Sequence, residues 1–179
     1  PPITLLIGRG NSGGTTGPTG VLIGVEMVCE ANWMQASIED RLVHLIAHEY
    51  AHVQQPITQR GDNPADGKHT LLEVSLAEGV AELLAELTSG SISNAHLARW
   101  TEGRERALEA EFRQQMRGTD LSKWLYKGPG TPENPGDLGY WMGYRIAKSY
   151  FERAPDKSRA IHELVELEDP EAILKGSGF

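Results

Sequence analysis

Two short apolar, β-branched runs open the chain, at residues 3–7 (ITLLI) and 21–28 (VLIGVEMV), and both predict strands. Between them, GRGNSGGTTGPTG has no apolar anchor and predicts a turn-rich loop. That loop is either a plain connection or a rim over a cleft, where bare backbone can approach a substrate. After Ala36 the period changes. Ile38, Leu42, Leu45 and Ile46 recur at helical spacing, and the helix runs to about Gln55, where Pro56 stops it. Residues 57–68 predict a loop. A second helix is expected over 70–88, ended by Ser89-Gly90, and a third over 94–117, charged on most faces and therefore at the surface. Residues 118–137 contain KGPGTPENPG and predict a loop, with Trp124, Leu125 and Tyr126 as a local anchor. Helices resume at 138–153 and 157–167, with a short one at 170–175. No repeat or linker interrupts this order. The expectation is a single α+β domain over 1–179, mostly helical, with a small N-terminal sheet.

Charge and composition narrow the function. The chain has 179 residues, with 17 Lys+Arg against 25 Asp+Glu and a net charge of −8. Without a basic run, such a chain is not expected to bind nucleic acid. No apolar stretch approaches the length of a membrane span. The single cysteine, Cys29, excludes an internal disulfide and a Cys-rich zinc fold, and its expected role is a buried structural thiol. The chain starts at Pro1 without Met, so a trimmed part of a longer precursor is expected, with a periplasmic or secreted location.

The candidate chemistry sits in the first long helix. His48-Glu49-Tyr50-Ala51-His52 reads H-E-x-x-H, and residues four apart share a helix face, so both imidazoles can point at one ion. Neutral imidazole is a good zinc ligand, and Glu49 can reach a water held by the metal. Apolar flanks carry these residues into the interior, where unpartnered polar groups are costly. His44, one turn earlier, is two turns from His52 and is read as a supporting or packing residue. A catalytic zinc needs a third protein ligand and one open position. Glu73, Glu78, Glu82 and Glu86 on the next helix all compete for that role. Glu78 and Glu82 are one turn apart, so one can bind metal while the other accepts a hydrogen bond from a ligand histidine. Gly79 is expected to allow close packing against the histidine helix.

HEYAH followed by AEGVAE resembles the gluzincin metallopeptidases, in which a Glu on the next helix completes a zinc site. Glu78-Gly79-Val80-Ala81 is similar to the third-ligand motif of the aminopeptidase-N family, which implies Glu78 as the ligand. Similarity to thermolysin-like enzymes implies Glu82 as the acidic residue that supports the ligands. The twenty-five residues between His52 and Glu78 exceed the gap in the aminopeptidases, and the loop through 61–68 accounts for the excess. Tyr140-Trp141-Met142-Gly143 resembles the Y-x-x-G motif of the same family, whose tyrosine stabilises the oxyanion; Tyr144, one turn on, is the rival. Tyr140 is preferred because it opens its helix after Gly136-Asp137-Leu138-Gly139, where a side chain can project into a cleft. Nearly the whole chain, through GYWMGYRIAKSY to GSGF, resembles a bacterial family described on motif grounds as zinc-dependent proteases. The resemblance implies a zincin-like catalytic domain with one Zn2+ per chain. It also implies hydrolysis of a peptide or protein substrate, with Glu49 as general base and a tyrosine as oxyanion donor.

Two rival readings remain. A deformylase-like amide hydrolase would use Cys29 as third ligand, but EMVCEA lacks the E-G-C-L form and Cys29 lies only nineteen residues before His48. A non-catalytic, metal-stabilised binding domain would have no need of Glu49. Within the peptidases, Gly24-Val25-Glu26-Met27-Val28 is not the G-x-M-E-N strand that reads a free amine. An endopeptidase is therefore favoured over an aminopeptidase, with Glu26 as a minor specificity candidate.

Overall fold

Strand β3 (Gly20–Gly24) is the centre of a three-stranded sheet, with β1 (Ile3–Leu6) parallel on one side and β2 (Gly14–Gly17) antiparallel on the other. The computed structural model of the chain describes residues 1–8, 10, 12–17, 19–30, 37–59, 67–92, 94–128 and 130–179. The helices among them are α1 (Val25–Glu30), α2 (Ile38–Gln54), α3 (Pro56–Gln59), α4 (Leu71–Ser89), α5 (Ala95–Thr101), α6 (Glu105–Gln115), α7 (Leu138–Arg153), α8 (Lys157–Glu166) and α9 (Pro170–Ser177). The architecture is α+β and mostly helical, with the small sheet at the N-terminus, as the sequence predicts.

The sheet departs from the sequence reading in two places. Part of the glycine-rich loop is strand β2, because Thr15 and Thr16 pair with Leu22 and Val21 although they offer no apolar anchor. The second apolar run leaves the sheet at Gly24, and residues 25–30 form α1 instead of continuing as strand. Only Val28 of that helix is buried, and Cys29 beside it is exposed, not the buried thiol expected. At Gly20, φ is +110° and an added Cβ would collide with the Pro2 carbonyl oxygen, so the start of β3 requires glycine. Val21 and Ile23, fully buried, seat the sheet on Leu42, Leu45, Ile46 and Val53 of α2.

Local signals place the long helices. Ser37 Oγ caps α2 by accepting from Asp40 N–H at 3.0 Å. Thr70 and Glu73 form a reciprocal capping box at α4, which ends at Gly90 in the left-handed region. The predicted third helix is broken into α5 and α6, with Gly103 at φ +75° between them. Of the predicted loop 57–68, residues 57–59 belong to the single turn α3, which begins at Pro56, and 60–66 lie outside the described residues. In the loop before α7, Trp124 and Leu125 are buried as anchors while Tyr126 is half exposed.

Helix α4 runs through the main core, packed by α7 on one side and α2 on the other. Gly79 sits at the crossing with α7, not at the histidine helix as expected. An added Cβ there would overlap the backbone of Gly143 and Tyr144, and one on Gly143 would overlap the Ser75 carbonyl. On a helix, Gly79 lies about 100° around from Glu78. The carboxylates of Glu78 and Glu82 therefore face α2, and the glycine faces α7.

Candidate metal centre

The α2–α4 contact brings three possible ligands together. His48 Nε2 and His52 Nε2 are 3.1 Å apart, and Glu78 Oε2 lies 3.5 Å from the first and 3.3 Å from the second. Three ligands bound tetrahedrally to zinc at about 2.0–2.1 Å would be separated by about 3.3 Å. The triangle therefore has the size such an ion requires. Both histidines are buried, at 8% exposure each.

The other ring nitrogens have partners that fix the tautomers. His48 Nδ1 is 3.2 Å from Glu82 Oε1, and His52 Nδ1 is 2.8 Å from Gln55 Oε1. Gln55 Nε2 donates to the Ala77 carbonyl at 2.8 Å, so its oxygen is left to accept from His52. In its neutral form His52 thus carries its proton on Nδ1, which leaves Nε2 as the atom that can ligate a metal. Gln55 is completely buried, and its sequence signal is its place at the helix end, three residues after His52.

The four glutamates of α4 have separate fates. Glu73 is spent on the capping box. Glu82 pairs with His48 and, through Oε2 at 3.5 Å, with His44, which is buried with Nδ1 3.1 Å from Ser89 Oγ. Glu86 accepts from Tyr144 and Lys148, both at 2.7 Å. Glu78 alone of the four faces both motif histidines.

Charges reinforce the cluster. Burial disfavours the imidazolium of His48, but hydrogen bonds to Glu78 and Glu82 outweigh it and hold its pKa well above the ordinary range. His52 is raised for similar reasons, against burial, chiefly by the charge of Glu78. Burial likewise opposes the charge on Glu78, but the two histidines hold its pKa down to about 2. Glu82 is lowered further, against burial, by its bonds to His44 and His48.

Glu49 lies between the histidines and the sheet. Thr16 Oγ1 on β2 is a bifurcated donor to Glu49, 2.7 Å from its carbonyl oxygen and 3.0 Å from Oε2. The neighbouring Gly14 leaves its Cβ space to that side chain, since an added Cβ would stand 2.6 Å from Glu49 Oε1. The glycine-rich segment thus provides a strand over Glu49, and Thr16 is a contact that sequence reasoning missed.

The tyrosines diverge. Tyr144 donates to Glu86 at 2.7 Å and accepts from Lys148 at 2.9 Å. Tyr140 is partly buried, and its hydroxyl bonds to no described residue; burial and then the Glu78 carboxylate raise its pKa. Tyr126, expected from the sequence only as an anchor, donates to Glu78 Oε1 at 3.3 Å, its ring edge-on to Tyr140. Glu26 accepts from the N–H groups of Gly8 (2.9 Å) and Gly10 (3.1 Å), which ties down the first loop. Cys29 is not among the grouped ligands.

No described helix is long and apolar enough to cross a membrane. Comparison with curated proteins and with solved structures finds no significant match. A family model does match, over residues 11–175, a span that contains every residue of the cluster. The chain belongs to the family described as predicted Zn-dependent protease (DUF2268).

Proposed function

We propose that the chain is a zinc-dependent peptidase of the gluzincin type, acting as one catalytic domain with a single Zn2+ held by His48, His52 and Glu78. The observation that carries this reading is the triangle of ligand atoms with edges of 3.1, 3.3 and 3.5 Å, with Glu49 beside it. Three protein donors leave one coordination position open, as a catalytic site requires. Zinc bound there would polarise a carbonyl and lower the pKa of a water.

The chain's own groups account for the rest. Glu49 takes a proton from the attacking water and delivers it to the leaving amine. Thr16 and the bare backbone at Gly14 hold its carboxylate in place. Glu82 and Gln55 orient the two imidazoles through their Nδ1 atoms. Tyr140, whose hydroxyl is uncommitted among the described residues, donates to the developing oxyanion. Strand β2 pairs on one side only among the described residues, so its outer edge offers backbone groups to an extended peptide.

The test is metal content and hydrolysis of denatured casein, measured together. Wild type should hold one zinc per chain and cut casein, and chelation should abolish cutting until zinc is restored. Glu49→Gln should keep the zinc and lose turnover by at least ~10²-fold. Undiminished cleavage by that variant, or a wild type that binds no zinc, would overturn the reading.

A further inference from the structure

The two oxygens of Glu78 have different partners. Oε2 is the atom that approaches both motif histidines, whereas Oε1 accepts from the Tyr126 hydroxyl at 3.3 Å. We propose that Tyr126 is the positioning residue of Glu78, holding the carboxylate so that one oxygen alone faces the metal position. This inference rests on the zinc reading above. A carboxylate free to turn can present both oxygens to a metal, a fifth donor that crowds the position catalysis needs open. With Oε1 engaged by a phenol, Glu78 presents one donor. Ligating carboxylates depend on such outer partners as much as ligating histidines do.

The backbone around Tyr126 is built to hold it there. Tyr126 has φ 61° and Asp137 has φ 54°, two of the three non-glycine residues with positive φ among the described residues. A bulky side chain keeps that conformation only where its surroundings impose it. They do so at both ends of the loop. Asp137 Oδ1 accepts from the Lys127 N–H at 2.7 Å, which joins the residue after Tyr126 to the one before α7. An added Cβ on Gly136 would collide with the Gly128 carbonyl, and Gly139 N–H donates to the Trp124 carbonyl at 2.7 Å. Trp124 and Leu125, immediately before Tyr126, are buried. The phenol is thus delivered to Glu78 from a loop fastened to the start of α7.

The experiment compares wild type, Tyr126→Phe, His52→Ala and Tyr150→Phe as purified, metal-free chains titrated with zinc and with cobalt(II). Tyr126→Phe removes only the hydroxyl, and the metal-free melting temperature reports its folding separately. Its zinc affinity should fall by about 10–100-fold. The visible absorption of its cobalt(II) form should weaken, as coordination rises from four to five. Tyr150→Phe, whose hydroxyl bonds Glu163 instead, should match wild type in both. Wild-type affinity and spectrum in Tyr126→Phe, with metal lost in His52→Ala, would overturn this inference and leave the zinc site standing. Metal retained in His52→Ala would overturn both.

Discussion

Gly79 of α4 and Gly143 of α7 meet backbone to backbone, with no room for a Cβ on either. The sequence motifs that contain them, E-G-x-A and Y-x-x-G, are therefore two halves of one contact. The glycines let the helices touch, and the residues beside them, Glu78 and Tyr140, are brought near one another by that crossing.

Gly79→Ala and Gly143→Ala should each force the helices apart. Overpacking a tight contact costs about 1–3 kcal/mol, and here the obstructing atoms are backbone, which places both variants at or above the upper end. For a chain of this length, 1 kcal/mol corresponds to about 2–4 °C in melting temperature. Thermal unfolding of the metal-free variants should show falls of at least ~6 °C. Wild-type melting in either would show that the crossing adapts.

The cluster predicts opposite pH trends with and without metal. His48 and His52 titrate above their ordinary 6.5 in the metal-free fold, so their contribution is complete below that value. It is lost as pH rises through the raised values. Glu78, held down to about 2 from an ordinary 4.5, contributes above 4.5, and its share is lost as pH falls towards 2. From these groups, metal-free stability peaks between 4.5 and 6.5. Zinc must displace the proton on His48, so its affinity rises with pH across the range where that proton is lost. The gap in melting temperature between zinc-loaded and metal-free protein should widen steadily from pH 5 to 8. Calorimetry in buffers of different ionisation enthalpy should show proton release on zinc binding at pH 7; none would contradict the charged His48.

Thr16 should matter to turnover but not to zinc. A hydrogen bond to a charged group contributes about 1.5–3 kcal/mol, and each 1.4 kcal/mol is tenfold. Thr16→Val should lower kcat on casein by at least ~10-fold at unchanged zinc affinity, and Thr16→Ser should recover most of the loss. Full activity in Thr16→Val would show that Glu49 needs no hold from β2.

How far the sequence reaches depends on how local each signal is. The capped, strongly periodic helices are legible: α7 has the bounds its pattern predicts, and Ser37 and Thr70 mark the starts of α2 and α4. The shared face of His48 and His52 follows from a spacing of four. Strand β2 is not legible, because glycines and threonines pair there through backbone alone. Nor does periodicity separate Glu78 from Glu82 and Glu86, which recur at the same spacing on one helix. Gln55, Thr16 and Tyr126 are partners that folding delivers from other elements or from a helix end. Gln55 lies three residues after His52, but no spacing within the chain connects Thr16 or Tyr126 to the site.

The two tyrosines of α7 give the last prediction. Tyr140 and Tyr144 are one turn apart, so the helix places both on the α4 side, and their partners distinguish them. Tyr144 is tied to Glu86 and Lys148, and its pKa is raised by burial and then by its bond to Glu86. Turning that hydroxyl to a substrate would break two hydrogen bonds and leave Glu86 with Lys148 alone. Tyr140 has no such commitment among the described residues, and the Glu78 carboxylate is close enough to raise its pKa. A neutral phenol at neutral pH is the form that donates. Loss of one oxyanion donor costs about 3–4 kcal/mol of transition-state stabilisation, or two to three orders of magnitude in kcat. Tyr140→Phe should show that loss with zinc retained and little change in melting temperature. Tyr144→Phe should instead lower the melting temperature, since Glu86 loses a buried donor, and should leave kcat within about tenfold of wild type. The reverse pattern, with kcat collapsing in Tyr144→Phe and intact in Tyr140→Phe, would transfer the oxyanion role to Tyr144.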